Sequence, residues 1–321
     1  MEGEEHARLR RIYNLFFVPQ AIQRFEATIV RPIAARLIEQ LAGMESPDLV
    51  VELAAKFPGL TVSALFGLPS DHFEQYGSLI NTMLGAMTQL NDERAQADAW
   101  RAYDTMNGLL REVTEREIER PGSNLLGEVV RAMRAEGMGS YEEIEPALFS
   151  LMLGGYETTI MMLATSLAAL LLHPEAMARV RADRALIGPA VEEAMRWASP
   201  LVLTPRIVDQ DVTIEDARIP AGSVVLLCIP SAHYDEEAFP SPEVFDIDRR
   251  PTVLTFGAGP HFCVGAPLAR MEVRVAISEL LDRIPYLRLD PAEPPVFAIG
   301  VNNSPLYGPK ALRVRFDRAP S

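Results

Sequence analysis

Ten consecutive residues, Phe256-Gly257-Ala258-Gly259-Pro260-His261-Phe262-Cys263-Val264-Gly265, set one cysteine in a glycine-rich loop. An apolar helix is expected to open directly behind it, from Ala266 to about Ile284. Gly257, Gly259 and Gly265 permit backbone conformations and close approaches that a Cβ would obstruct. The helix N-terminus aims unpaired N–H groups and a positive dipole end at the sulfur. Both favour thiolate, the form that binds metal. A lone cysteine is more often a small buried hydrophobe, but a thiolate held in this way suits the axial position of a haem iron.

Three further clusters carry chemistry. Gly154-Gly155-Tyr156-Glu157-Thr158-Thr159 interrupts the most apolar helix of the chain, and polar groups buried there must find partners. Glu193 and Arg196 lie three apart on a helix that follows Pro189, a spacing that also suits an ordinary surface ion pair. His6 and Arg10 lie four apart and project from one helix face.

The elements that must position these residues are mostly helices. Apolar residues recur at three- and four-residue spacing through Ile22–Leu41, Leu49–Phe66, Phe73–Leu90, Trp100–Ile118 and Leu125–Ala135. Ser140 and Glu143 form a capping box for the long apolar helix that follows, and Pro146 is expected to bend or delay its start. After Pro200, strands are expected at Arg206–Ile214 and Ala217–Ile229, with Pro220-Ala221-Gly222 as punctuation. Pro- and Asp-rich coil runs from His233 to Thr255, and a last β-like stretch ends at Ala311–Phe316. These elements read as a single domain, 1–321: helical to about 200, then strands, cysteine loop and a proximal helix.

With 321 residues, 48% of them hydrophobic, the chain can bury a large core. A net charge of -14 argues against general nucleic-acid binding. Cys228 and Cys263 are too far apart for a disulfide framework or zinc pair, and a reducing compartment fits. The start, MEGEEHARLRR, lacks the apolar stretch of a signal peptide or anchor. Leu148–Leu172 is long enough to span a bilayer, but Glu157 near its middle favours the core helix of a soluble protein.

The pattern Phe-Gly-x-Gly-x-His-x-Cys-x-Gly, followed by Ala266-Pro267-Leu268-Ala269-Arg270, resembles the haem-binding loop of bacterial haem-thiolate monooxygenases, the cytochrome P-450 family. The resemblance extends over nearly the whole chain and implies that family's mainly α fold with a small β portion. It implies haem b, iron protoporphyrin IX, held through Cys263 as iron ligand in a loop shaped by Phe256, Gly257 and Gly265. His6, Arg10, Arg206 and His261 match donors to the haem propionates. Glu157 and Thr158 match the acid–alcohol pair that relays protons during O₂ reduction. Glu193-x-x-Arg196 matches a structural motif whose usual third member is an Arg in Pro-x-Arg-Phe. Here that segment reads Pro242-Glu243-Val244-Phe245, leaving Arg249 or Arg250 to complete the set.

By the same resemblance, the implied activity inserts one oxygen atom of O₂ into an apolar organic substrate. Electrons come from NAD(P)H through a ferredoxin reductase and a ferredoxin in the cytoplasm, with no membrane or nucleic-acid partner. Arg8, Arg11, Arg270 and Arg274 would form a basic patch for an acidic ferredoxin. Two alternatives remain open: a peroxide-driven or desaturating haem-thiolate enzyme, and a truncated, inert or merely haem-binding protein. The family's chains carry a further N-terminal region ahead of the helix that His6 matches. The fold is therefore expected to be N-terminally truncated, with an apolar unpaired edge at Val224–Leu227 and an open distal pocket.

Overall fold

The computed structural model describes residues 2–69, 73–87, 89–300 and 306–317. The helices are α1 (Gly3–Asn14), α2 (Pro19–Phe25), α3 (Arg31–Ala42), α4 (Phe57–Phe66), α5 (Phe73–Ala86), α6 (Glu93–Glu119), α7 (Leu125–Ala135) and α8 (Tyr141–Leu172). They continue with α9 (Pro174–Ala182), α10 (Ile187–Trp197), α11 (Ile229–His233) and α12 (Ala266–Arg283). The apolar periodicity located the helical regions, but two of them are not uniform. π-Helical turns at Glu26–Val30 and Val50–Ala54 interrupt what reads as continuous helix in the sequence.

The centre of the molecule is α8, which packs against α4, α6, α10 and α12. Its start carries the expected capping box: Ser140 accepts from the Glu143 amide, and Glu143 accepts from the Ser140 amide at 3.0 Å. Pro146 neither delays nor ends the helix. Its ring removes the hydrogen bond to the Glu142 carbonyl, but both residues are exposed, so water can serve that oxygen. From Met152 onward the helix is buried almost all round, each fully buried Leu or Met contributing about 1.5–3 kcal/mol. Its most apolar window is 83% buried inside the protein, the packing of a soluble protein's core helix.

Among the described residues the β portion is four two-stranded antiparallel sheets. The expected pair of long strands is broken in two. β1 (Leu203–Ile207) pairs with β4 (Val224–Cys228), while β2 (Val212–Ile214) and β3 (Ala217–Ile219) make a separate tight hairpin turning at Glu215, φ 51. Gly222, φ 82, divides β3 from β4. The later strands are β5 (Arg288–Leu289), β6 (Phe297–Ile299), β7 (Tyr307–Pro309) and β8 (Val314–Arg315). The β1–β4 ribbon does expose apolar surface, with Ile207 77% and Val224 63% accessible.

Candidate haem-thiolate site

The cysteine loop is closed by its own backbone. The Cys263 amide donates to the Phe256 carbonyl at 2.8 Å, the Gly257 amide to Leu254 at 2.8 Å, and the Phe262 amide to Gly259 at 3.0 Å. Gly257 and Gly259 have φ of 72 and 68, the left-handed region that glycine enters freely. Gly265 has an ordinary φ of -79, and a Cβ there would stand 3.9 Å from Cys263 Sγ, an ordinary contact, so neither backbone nor space within the chain requires glycine there. Phe256 is buried, with the Arg270 guanidinium 4.2 Å from its ring centroid.

Cys263 is open to solvent on one side, yet its sulfur lies deep enough among protein atoms that desolvation pushes the thiol up. The amides of Gly265 and Ala266 and the charges of Arg10 and Arg270 pull the other way without overcoming it. The loop and helix end do favour thiolate, as expected, but burial outweighs them, so binding a metal there must release the thiol proton.

Three of the four expected propionate donors meet at this loop. The His6 and His261 rings lie 4.1 Å apart, tilted by 36°. Arg10 Nη1 donates to the Phe262 carbonyl, next to Cys263, and Arg10 Nε to Asn14 at 3.1 Å. His261 Nε2 meets the Glu2 carboxylate at 2.9 Å and holds that acid below its usual range. Arg206 is not brought to them by any hydrogen bond among the described residues. It is exposed on β1 and bonded to Thr204 Oγ1 at 3.1 Å and the Pro205 carbonyl at 2.8 Å.

On α8, Ser150, Gly154 and Thr158 form an exposed stripe at four-residue spacing along an otherwise buried helix. A Cβ on Gly154 would meet nothing within 4 Å. Thr158 Oγ1 donates to the Gly154 carbonyl at 2.5 Å, while Glu157, one residue earlier, is fully buried. An open soft sulfur, imidazole and guanidinium groups beside it, and a small-residue notch on an apolar helix are the donor set and space that a haem with two carboxylates requires. The residues fit the group.

The Glu193–Arg196 pair is no surface bridge. Both side chains are fully buried and doubly bonded, at 2.9 and 2.7 Å. Arg196 also donates to the carbonyls of His233, Pro242 and Val244, at 3.3, 2.7 and 3.1 Å. Val244 thus takes part through its backbone, and Arg249 is the third member, donating to Glu193 at 3.3 Å and to Pro240 at 2.7 Å. These bonds pin the coil that leads into the cysteine loop.

His233 completes the coil's anchoring. Its Nε2 accepts from the Leu254 amide at 2.8 Å, which assigns the ring proton to Nδ1. Burial, with the Arg196 charge second, pushes its pKa down to about 4. A depressed histidine stabilises the fold when neutral, so this contribution is complete above pH 6.5 and is lost as pH falls toward about 4. The urea midpoint is expected to fall across that window, and His233→Gln to flatten the fall. An unchanged acid limb in the variant would show the loss to come from other groups.

The expected basic patch is mostly neutralised. Arg270 pairs with Glu192 at 2.6 Å, Arg274 with Glu26, and Arg8 with Glu136 at 3.4 Å. Of the four, only Arg11 has no carboxylate partner among the described residues. Sequence reading missed Glu26 and Glu192 because neither is near its partner in the chain. It also missed Tyr156, although that residue lies inside the motif it singled out.

A sequence model of the Cytochrome P-450 family matches residues 61–287. A C-19 steroid 1alpha-hydroxylase of Sorangium cellulosum (strain So ce56) is 44% identical over 316 residues, covering 98% of this chain and 80% of that protein. The cytochrome P-450 monooxygenase PikC of Streptomyces venezuelae is 34% identical, covering 98% of this chain and 74% of that protein. The solved structure of Sorangium cellulosum So Ce56 cytochrome P-450 260B1 matches with a TM-score of 0.92 at 41% identity, over 98% of this chain and 81% of that one. Relatives named for hydroxylation and monooxygenation favour the enzymatic reading over that of an inert haem binder.

Proposed function

The chain belongs to the cytochrome P-450 family, and on that premise we propose how its own residues perform that family's monooxygenation and on what class of molecule. Haem b, its cofactor, supplies the activation of O₂ and the transfer of one oxygen atom to the substrate. The overall balance is O₂, two electrons, two protons and R–H giving R–OH and water, with the electrons delivered by redox partners.

Cys263 is the iron ligand in this reading, steadied by the Gly265 and Ala266 amides. His6, Arg10 and His261 hold the propionates through charge-assisted bonds, and Arg206 joins them by swinging off its own strand. Thr158 and Glu157 hold and pass the two protons as general acids, the threonine from the open stripe and the glutamate from behind it. Phe256 and Gly257 keep the loop in the shape that presents the sulfur. The meeting of His6 and Arg10 of α1 with the loop that carries His261 and Cys263 is the observation that carries this reading.

The substrate is an apolar organic molecule, and a steroid skeleton is the class on which the 44%-identical relative acts. The electron source is NAD(P)H through a ferredoxin reductase and a ferredoxin, in the cytoplasm. Product formed per NAD(P)H consumed tests the relay. Thr158→Ala is expected to lower this ratio by about tenfold, less than the roughly 10²–10⁴ of a full general acid because water fills the site. Turnover driven by added peroxide should survive the substitution. An unchanged ratio in the variant would remove Thr158 from the relay.

A further inference from the structure

Behind α8, a cleft of about 530 Å³ opens between that helix, α5 and the segment leading into α4. Tyr156 lines it. At 3.6 residues per turn, Tyr156 lies about 160° around the helix from both Gly154 and Thr158. The cleft and the candidate haem face therefore share a helix without sharing a surface.

Tyr156 is only 7% exposed and is wedged between two glycines. A Cβ on Gly59 would lie 2.8 Å from its ring, and one on Gly77 would lie 2.2 Å from its hydroxyl oxygen. That hydroxyl makes no hydrogen bond among the described residues. Asn81 Oδ1, on the same lining, is a buried acceptor that also has none. Buried phenols usually find a partner, and an unmatched buried acceptor is costly. Of the cleft's other polar groups, Lys56 is held by Glu52 at 2.7 Å and the Thr82 hydroxyl by the Ser78 carbonyl at 2.9 Å, while Glu74 and Ser78 are exposed on its rim. Val51, Ala55 and Phe73 add apolar lining.

We propose that this cleft is a second ligand site, separate from the haem site, that takes a small apolar alcohol. The apolar lining and the Tyr156 ring accept a hydrocarbon body. One hydroxyl oxygen satisfies both free groups, accepting from Tyr156 and donating to Asn81 Oδ1. A ketone or ether can only accept, and a hydrocarbon offers neither bond. Because the monooxygenation proposed above ends in an alcohol, hydroxylated products fall within this ligand class.

Cyclohexanol is the probe, titrated calorimetrically into the haem-loaded protein with imidazole saturating the iron, and cyclohexanone is its control. Cyclohexanol is expected to bind about fivefold more tightly than the ketone, and Tyr156→Phe to weaken it by about 2–10-fold, the worth of one neutral hydrogen bond. Ser78→Leu, at an exposed position on the cleft, is expected to remove binding while leaving the carbon monoxide difference spectrum unchanged. The haem-free chain should bind with the same affinity, so failure of the haem-thiolate reading would leave this test intact. The proposal is overturned if cyclohexanol does not bind at millimolar concentration. Binding by both variants equal to that of the parent would also overturn it.

Discussion

Cys263→Ser is expected to abolish the strongly red-shifted Soret band in the carbon monoxide difference spectrum of the reduced, haem-loaded protein. Turnover should fall by more than the roughly 10–100-fold typical of losing a group that merely supports a ligand. A serine hydroxyl keeps the size of the side chain but stays protonated at neutral pH and is a hard donor, whereas the loop is built to present a polarisable sulfur. The loop itself should survive, because its closure runs through backbone bonds from Cys263 to Phe256 and from Gly257 to Leu254. Circular dichroism is therefore expected to be unchanged. Cys228, exposed at the end of β4, provides the control: Cys228→Ser should keep the band. Loss of the band in the Cys228 variant and its retention in the Cys263 variant would reverse the assignment.

The largest effect on stability is expected at Arg196. Arg196→Ala leaves the buried Glu193 carboxylate with only the Asp246 amide at 3.0 Å and Arg249 Nε at 3.3 Å, strips the donor from the His233 and Pro242 carbonyls, and leaves Val244 to Arg249 alone. Removing one partner of a buried pair costs about 3–5 kcal/mol, against total stabilities of about 5–15 kcal/mol. The urea midpoint should drop sharply, and haem retention with it, because the coil between α11 and the cysteine loop loses its anchor. Arg196→Lys should recover little, since an ammonium cannot supply the planar fork that serves Glu193 and the carbonyls together. A variant within about 0.5 kcal/mol of the parent, the range of surface substitutions, would refute the anchoring role.

The cysteine loop and α8 were legible in the sequence because their signals are local. Glycines, a capping box and an unbroken apolar run announce themselves within a few residues of where they act. What escaped was set by distance along the chain. Nothing near Glu193 and Arg196 says that they are buried, since the carbonyls that bury them come from residues 233–244. The basic patch reads as charge in sequence and becomes ion pairs in space, because Glu26 and Glu192 arrive from other helices. The strand reading overran at Gly222, where a left-handed backbone ends the ladder, while the turn at Glu215 falls in the gap it left between the two strands. The Gly154–Thr159 motif was read for the side that faces the open stripe. Its other side, at Tyr156, appears only once α4 and α5 are in place.

Gly59 and Gly77 cannot gain a side chain while Tyr156 stays as it is. A methyl group at Gly77 has no room while the phenol is present, and at Gly59 it meets the same ring. A lineage that enlarges either glycine must first change or displace Tyr156, or alter two positions together. The three residues therefore form one unit of inheritance, spread over nearly a hundred positions of sequence and joined through a single side chain.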